Sequence, residues 1–89
     1  MPGISRVRVD AAGGTISGPG CPTVFVNGSP ISTLGDLVTP HPPGPPHSPS
    51  PTMIQASTTV FAGGKGVVRE GDLASCGHAA SGSSNVFAG

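Results

Sequence analysis

Tryptophan and tyrosine are absent, and three phenylalanines are the only large apolar rings in this 89-residue chain. A chain this short is only marginally able to bury a core of its own. Charge is scarce as well: four basic and four acidic residues leave a formal net charge of zero. Binding a polyanion needs clustered Lys and Arg, and Arg6, Arg8, Lys65 and Arg69 form no such cluster, so nucleic acid is excluded as a partner. No apolar run approaches the ~20 residues that cross a bilayer. Met1-Pro2-Gly3 opens the chain without the basic and apolar regions of a signal peptide, so the expectation is a protein made in the cytosol, where thiols stay reduced.

What is abundant is glycine and proline, 15 and 11 residues respectively. Gly loses the most backbone entropy on ordering and neither residue packs well, so this composition falls in the range of disordered chains. Two features oppose disorder. A solvated coil usually carries far more charge, and the sequence repeats itself. "TVFVNGSPISTLGDL" (23–37) aligns without gaps on "TVFAGGKGVVREGDL" (59–73), and "NVFAG" (85–89) is a truncated third copy. Periodicity in a Gly-rich chain points to a repeated supersecondary unit.

The unit reads as a β-hairpin, because Val-Phe-Val is followed by Asn27-Gly28, the pair that most readily takes the positive φ angles of a two-residue turn. Gly63-Gly64 occupies the same place in the second copy, and each Gly-Asp marks an exit turn. A lone hairpin is unstable in water, so the copies must pack together. The expectation is one all-β domain over 1–89, with repeats at about 17–37, 53–73 and 79–89 around a pseudo-threefold axis. Phe25, Phe61 and Phe87 are expected to be equivalent packing residues of its core. Residues 1–15, lacking a Gly-Asp turn and a histidine, stand outside the repeat.

Between the first two copies lies "TPHPPGPPHSPSP" (39–51), where proline forbids a helix or a central strand. One reading is a polyproline linker or ligand. The other is a metal loop, since a stiff segment holds His41 and His47 at low entropic cost. Cys76 and His78 follow the second Gly-Asp-Leu as this insert follows the first. If the post-turn loops meet at one end of an axis, His41, His47, Cys76 and His78 make a closed tetrahedral zinc shell. Solvated loop histidines are the alternative, and for Cys76 a thiol without metal or a disulfide to Cys21. Cys21 precedes its Val-Phe as Ser57 and Ser83 precede theirs, which reads as a small buried residue, with ligation as its alternative.

Catalysis has less support. "GGKG" (63–66) lacks the spacing of a phosphate loop, Asp10, Asp36, Glu70 and Asp72 form no acid–base pair, and the core is too small for a substrate-sized pocket.

"SGPGCPTVFVNGSPISTLGD" (17–36), "TVFAGGKGVVREGDLASCG" (59–77) and "SGSSNVFAG" (81–89) together resemble the PAAR-repeat proteins, the pointed tips of type VI secretion spikes and contractile phage tails. The Pro-Ala-Ala-Arg stretch of that family stands here as "SPISTLGD" and "KGVVREGD", which keep Pro30 and Arg69. The resemblance implies a small cone of short strands with zinc, or iron, near its vertex, bound by three histidines and one cysteine. It implies a non-enzymatic tip that sits as a monomer on a trimeric β-helical spike, secretory or phage. Val, Phe and Ile edges at its base bury against the trimer, and contraction drives the tip through a target cell envelope. Before assembly such a protein is cytoplasmic. The end at Gly89 leads to the expectation of no toxin domain. A proline-rich adaptor and a minimal metal-dependent hydrolase are the competing readings.

Overall fold

Asn27 and Gly28 both take positive φ, 52° and 84°, and Gly63 and Gly64 do the same at 59° and 81°. These angles suit a tight turn whose twist matches that of the flanking strands. Each pair joins two antiparallel strands in the computed structural model, which describes residues 2–39 and 51–88. In chain order the strands are β1 (Ala11–Ala12), β2 (Gly14–Gly18), β3 (Cys21–Val26), β4 (Ser29–Ile31), β5 (Leu37–Val38), β6 (Phe61–Ala62) and β7 (Lys65–Gly66). The hairpins are β3-β4 and β6-β7, and an antiparallel sheet runs in the order β1-β2-β5. The described residues contain no helix, so none is long and apolar enough to cross a membrane.

A third hairpin is assembled from opposite ends of the chain. Gly3 bridges Phe87 as Gly66 pairs with Phe61 and Pro30 with Phe25, and Ala88 N donates to Pro2 O at 3.0 Å. Residues 1–15 are therefore not outside the repeat, because 2–10 supply the second half of its third copy. Sequence order conceals this, since the two halves of the hairpin are not contiguous.

The three hairpins interlock through their backbones. Ser5 N donates to Val68 O, Val68 N to Ser32 O and Ser32 N to Ser5 O, at 2.9, 2.9 and 3.0 Å, which closes a ring. A second ring runs from Val7 N to Pro30 O, Leu34 N to Gly66 O and Glu70 N to Gly3 O, at 2.9, 2.9 and 2.7 Å. Ser5, Ser32 and Val68 are fully buried where the first ring closes. In a dry interior each of these donors would be expensive to leave unpaired.

The core among the described residues is built without a single aromatic ring. Ile4, Val26, Ile31, Ala62, Val67 and Ala88 form a cluster with Cys21 on the hairpin side. A second cluster gathers Ile16, Val38, Met53, Val68 and Ala74 around Cys76. The phenylalanines are not core residues: Phe25, Phe61 and Phe87 are 56, 60 and 47 % exposed. The pleat explains the difference, because successive side chains of a strand face opposite ways. Val26, Ala62 and Ala88 turn inward, so the preceding phenylalanine in each copy turns out.

Each copy then leaves its hairpin through a buried aspartate. Asp36 accepts from the amides of Thr33 and Gly20 and from the Ser32 and Thr33 hydroxyls. Asp72 accepts from the Arg69 amide at 2.8 Å and takes its guanidinium in a fork, both contacts at 3.0 Å. Asp10 does the same for Arg6 and also accepts from Ser81 Oγ at 2.9 Å. Such bidentate charge-assisted pairs are the strong form of ion pair. No buried polar side-chain atom among the described residues lacks a partner.

Burial alone would raise the Asp10 pKa, but the Arg6 guanidinium, the Ser81 hydroxyl and the Arg6 amide outweigh it and hold the carboxyl below its ordinary value. A depressed folded pKa contributes stability that is present above the unfolded value of about 3.9 and is lost as pH falls through the folded one. Thermal melts of the wild type should therefore lose stability below about pH 4. In Arg6→Gln that acid-side drop should be visibly smaller, because the largest favourable partner of the carboxylate has lost its charge.

Candidate metal centre

Cys76 and His78 sit in a tight loop that the fold ties down on three sides. Ala74 N donates to His78 O and Gly77 N to Ala74 O, both at 2.9 Å, while Met53 bridges Ala74 and Leu73 bridges Ala79. Gly77, between the two candidate ligands, has φ 90° with nothing near the position a Cβ would take, so its backbone angle is what calls for glycine. The turn carries both side chains to one side, leaving Cys76 Sγ 3.5 Å from His78 Nδ1. Cys76 is buried against the second cluster, its sulfur 3.9 Å from Ala12 O, and His78 is half-buried.

That separation matches a chelating pair. A tetrahedral zinc with Zn–S of about 2.3 Å and Zn–N of about 2.0–2.1 Å holds such atoms roughly 3.5 Å apart. Thiolate and imidazole are also the donor types that zinc prefers. Among the described residues no group of three or more His, Cys, Asp or Glu side chains converges. His41 and His47, the other two residues expected in the shell, lie outside the described residues.

The attachment points of the 39–51 segment are described, and they adjoin the Cys76 loop. Val38 N donates to Pro51 O at 2.7 Å, Thr39 N to Thr15 O at 2.8 Å, and Leu37 bridges Thr52. Thr52 in turn accepts from Ser75 N at 2.7 Å and donates to Ser75 Oγ at 3.1 Å, one residue before Cys76. The described ends of the 39–51 segment therefore lie beside the loop that carries Cys76 and His78.

The family model of the PAAR motif matches residues 9–79. The chain belongs to the PAAR-motif family. No curated protein matches it. The matched span of the PAAR motif holds both covalent hairpins and both loops, whereas Pro2–Arg8 and the Phe87 strand lie beyond it. The structure gives the arginine of the motif a task, the forked clamp on the turn aspartate. It also finds a second one, Arg6 on Asp10, which the sequence reading missed. The signal was available in "ISRVRVD", which follows "VVREGD" residue for residue up to the arginine and carries one extra residue before the aspartate. Arg8 holds φ 65° within that longer turn, where Gly35 and Gly71 take 89° and 92° in the others.

Cys21 does not join Cys76. The two cysteines form no disulfide and belong to different clusters. Its sulfur lies 3.4 Å from Thr23 Oγ1, as Ser57 Oγ lies 3.3 Å from Thr59 Oγ1. Ser57 Oγ caps the amides of Thr59 and Val60, and Ser83 Oγ those of Asn85 and Val86. The Thr23 side chain, helped by the Thr23 and Val24 amides, draws the Cys21 thiol below the usual thiol range. Cys21 thus stands in for a capping serine. Cys21→Ser should leave the melting temperature within a few degrees of wild type and leave the metal content of the purified protein unchanged, as differential scanning fluorimetry and elemental analysis would read.

Proposed function

We propose that this protein is the structural tip of a contractile injection apparatus, a metal-closed cone that caps a trimeric β-helical spike. The observation that carries this reading is the exposure of Phe25, Phe61 and Phe87 at matching positions of three interlocked hairpins. An aromatic side chain left in water at every copy marks a surface meant for a partner. The two backbone rings support a pseudo-threefold arrangement, in which a single chain offers the same contact to each of three identical chains. Val24 and Leu37, also exposed, extend the apolar supply. Membership of the PAAR-motif family supports a role in a secretion spike or a phage tail.

Cys76, His78, His41 and His47 would hold the metal, with Cys76 and His78 set at a chelating distance. A bound zinc would supply cross-linking of the two post-turn loops rather than chemistry, since four protein ligands leave no position for a substrate water. The residues of this chain do the positioning. Asp36 and Asp72 set the exit turns, Gly77 turns Cys76 and His78 to one side, and Ser75 with Thr52 ties their loop to the segment that follows residue 51. Binding of this kind is worth about 10–16 kcal/mol in small zinc domains, on the scale of a whole folding free energy.

Two measurements test the proposal. Cys76→Ser should lose zinc and melt at lower temperature, and a chelator should depress the wild-type melt while shifting the variant little. Equal melts of wild type with and without chelator would sink the closed metal site. Phe25→Ser, Phe61→Ser and Phe87→Ser combined should abolish retention on an immobilised trimeric spike. Because the rings are exposed, the triple variant should lose far less than the ~3–5 kcal/mol typical of one buried Phe→Ala. A triple variant that stays bound would rule out the aromatic face as the docking surface.

A further inference from the structure

The third hairpin reproduces backbone bonds of the second without a peptide turn among its described residues. In the second hairpin Val67 N donates to Val60 O at 3.1 Å and Ser57 N to Val67 O at 2.8 Å. In the third, Ile4 N donates to Val86 O at 2.9 Å and Ser83 N to Ile4 O at 2.8 Å. The side chains follow the same plan. Ser83 and Ala88 are buried, Val86 packs on the hairpin-side cluster, and Asn85 Oδ1 accepts from Asn27 Nδ2 at 2.9 Å. The seat is cut to fit, since a Cβ on Gly3 would collide with Ser83 O, as one on Gly66 would with Ser57 O. Residues 83–88 therefore occupy a bound-strand position, recognised by main-chain bonds plus alternate side chains, which is how an added strand docks on a sheet edge.

We propose that residues 2–5 form a strand-binding slot, filled in cis by 83–88, which accepts the same strand from a second copy of this chain when its own is displaced. The ligand is a short peptide of the pattern Ser-x-Asn-Val-Phe-Ala, with Ser83 as cap, the half-buried Val86 and the buried Ala88 as anchors and Phe87 facing out. The inference rests on hairpin geometry alone and needs neither metal nor spike.

The test uses the full-length protein and a fluorescein-labelled peptide of residues 81–89, SGSSNVFAG, followed by anisotropy. Val86→Asp weakens the resident strand and leaves the slot intact, so this variant should bind the peptide saturably. A tethered strand competes at an effective concentration on the order of millimolar, so wild type should bind at least about tenfold more weakly. Adding Gly3→Ala to Val86→Asp should abolish binding, because the methyl group fills the seat. Should Val86→Asp fail to fold, the same titration on the milder Val86→Ala decides. Absence of saturable binding to the folded variant, or equal binding of a scrambled peptide, would overturn the proposal.

Discussion

Six backbone hydrogen bonds, closed in two rings across three hairpins, are what the rest of this structure depends on. A chain with no Trp or Tyr, and with its phenylalanines in solvent, has too little apolar mass to fix the relative positions of its parts by packing alone. The rings do it through the main chain. Each hairpin satisfies the donors of another, so no single hairpin completes its hydrogen bonding by itself. Small residues are required around such rings, because strands that meet backbone to backbone leave no room for bulk. The collisions a Cβ would make at Gly3, Gly66 and Gly82 are local signs of that closeness.

The aspartate turns translate this central order outward. Asp10, Asp36 and Asp72 each gather the amide of the residue that opens their turn, and two of the three add a forked arginine. The arginine of the motif is thereby explained as a structural clamp on a buried carboxylate. In the first copy Thr33 takes its place and the Ser32 and Thr33 hydroxyls supply the donors instead. One turn holds the loop that carries Cys76 and His78, another the strand that leads into residues 39–51, so the rings, the clamps and the proposed metal site form one chain of support.

Polar side chains do work in this interior that hydrophobic ones do elsewhere. Buried serines cap the start of each copy, and a thiol at Cys21 substitutes for one of them with the same partners. The apolar residues saved from the core appear outside, as three phenylalanines at equivalent places. A rigid body with backbone-locked arms and aromatic faces suits a part that must transmit force through a docked base, which is the role proposed for it.

Much of this was legible in the residues. Asn27-Gly28 and Gly63-Gly64 announced their turns because few other pairs tolerate positive φ, the Gly-Asp pairs announced theirs, and the short spacing of Cys76 and His78 let a single glycine bring them together. Local chemistry decides all of these, so sequence alone determined the two contiguous hairpins, two of the exit turns and the short loop that carries Cys76 and His78. Tertiary structure alone decided that the phenylalanines face water, that residues 2–10 complete the last hairpin, and that Cys21 belongs with serines rather than with Cys76. Those outcomes follow from which strands pair and which face of each pleat the rings enclose. Pairing between the ends of a chain leaves no mark on neighbouring residues, because it is set by hydrogen bonds that form only once all three arms are in place.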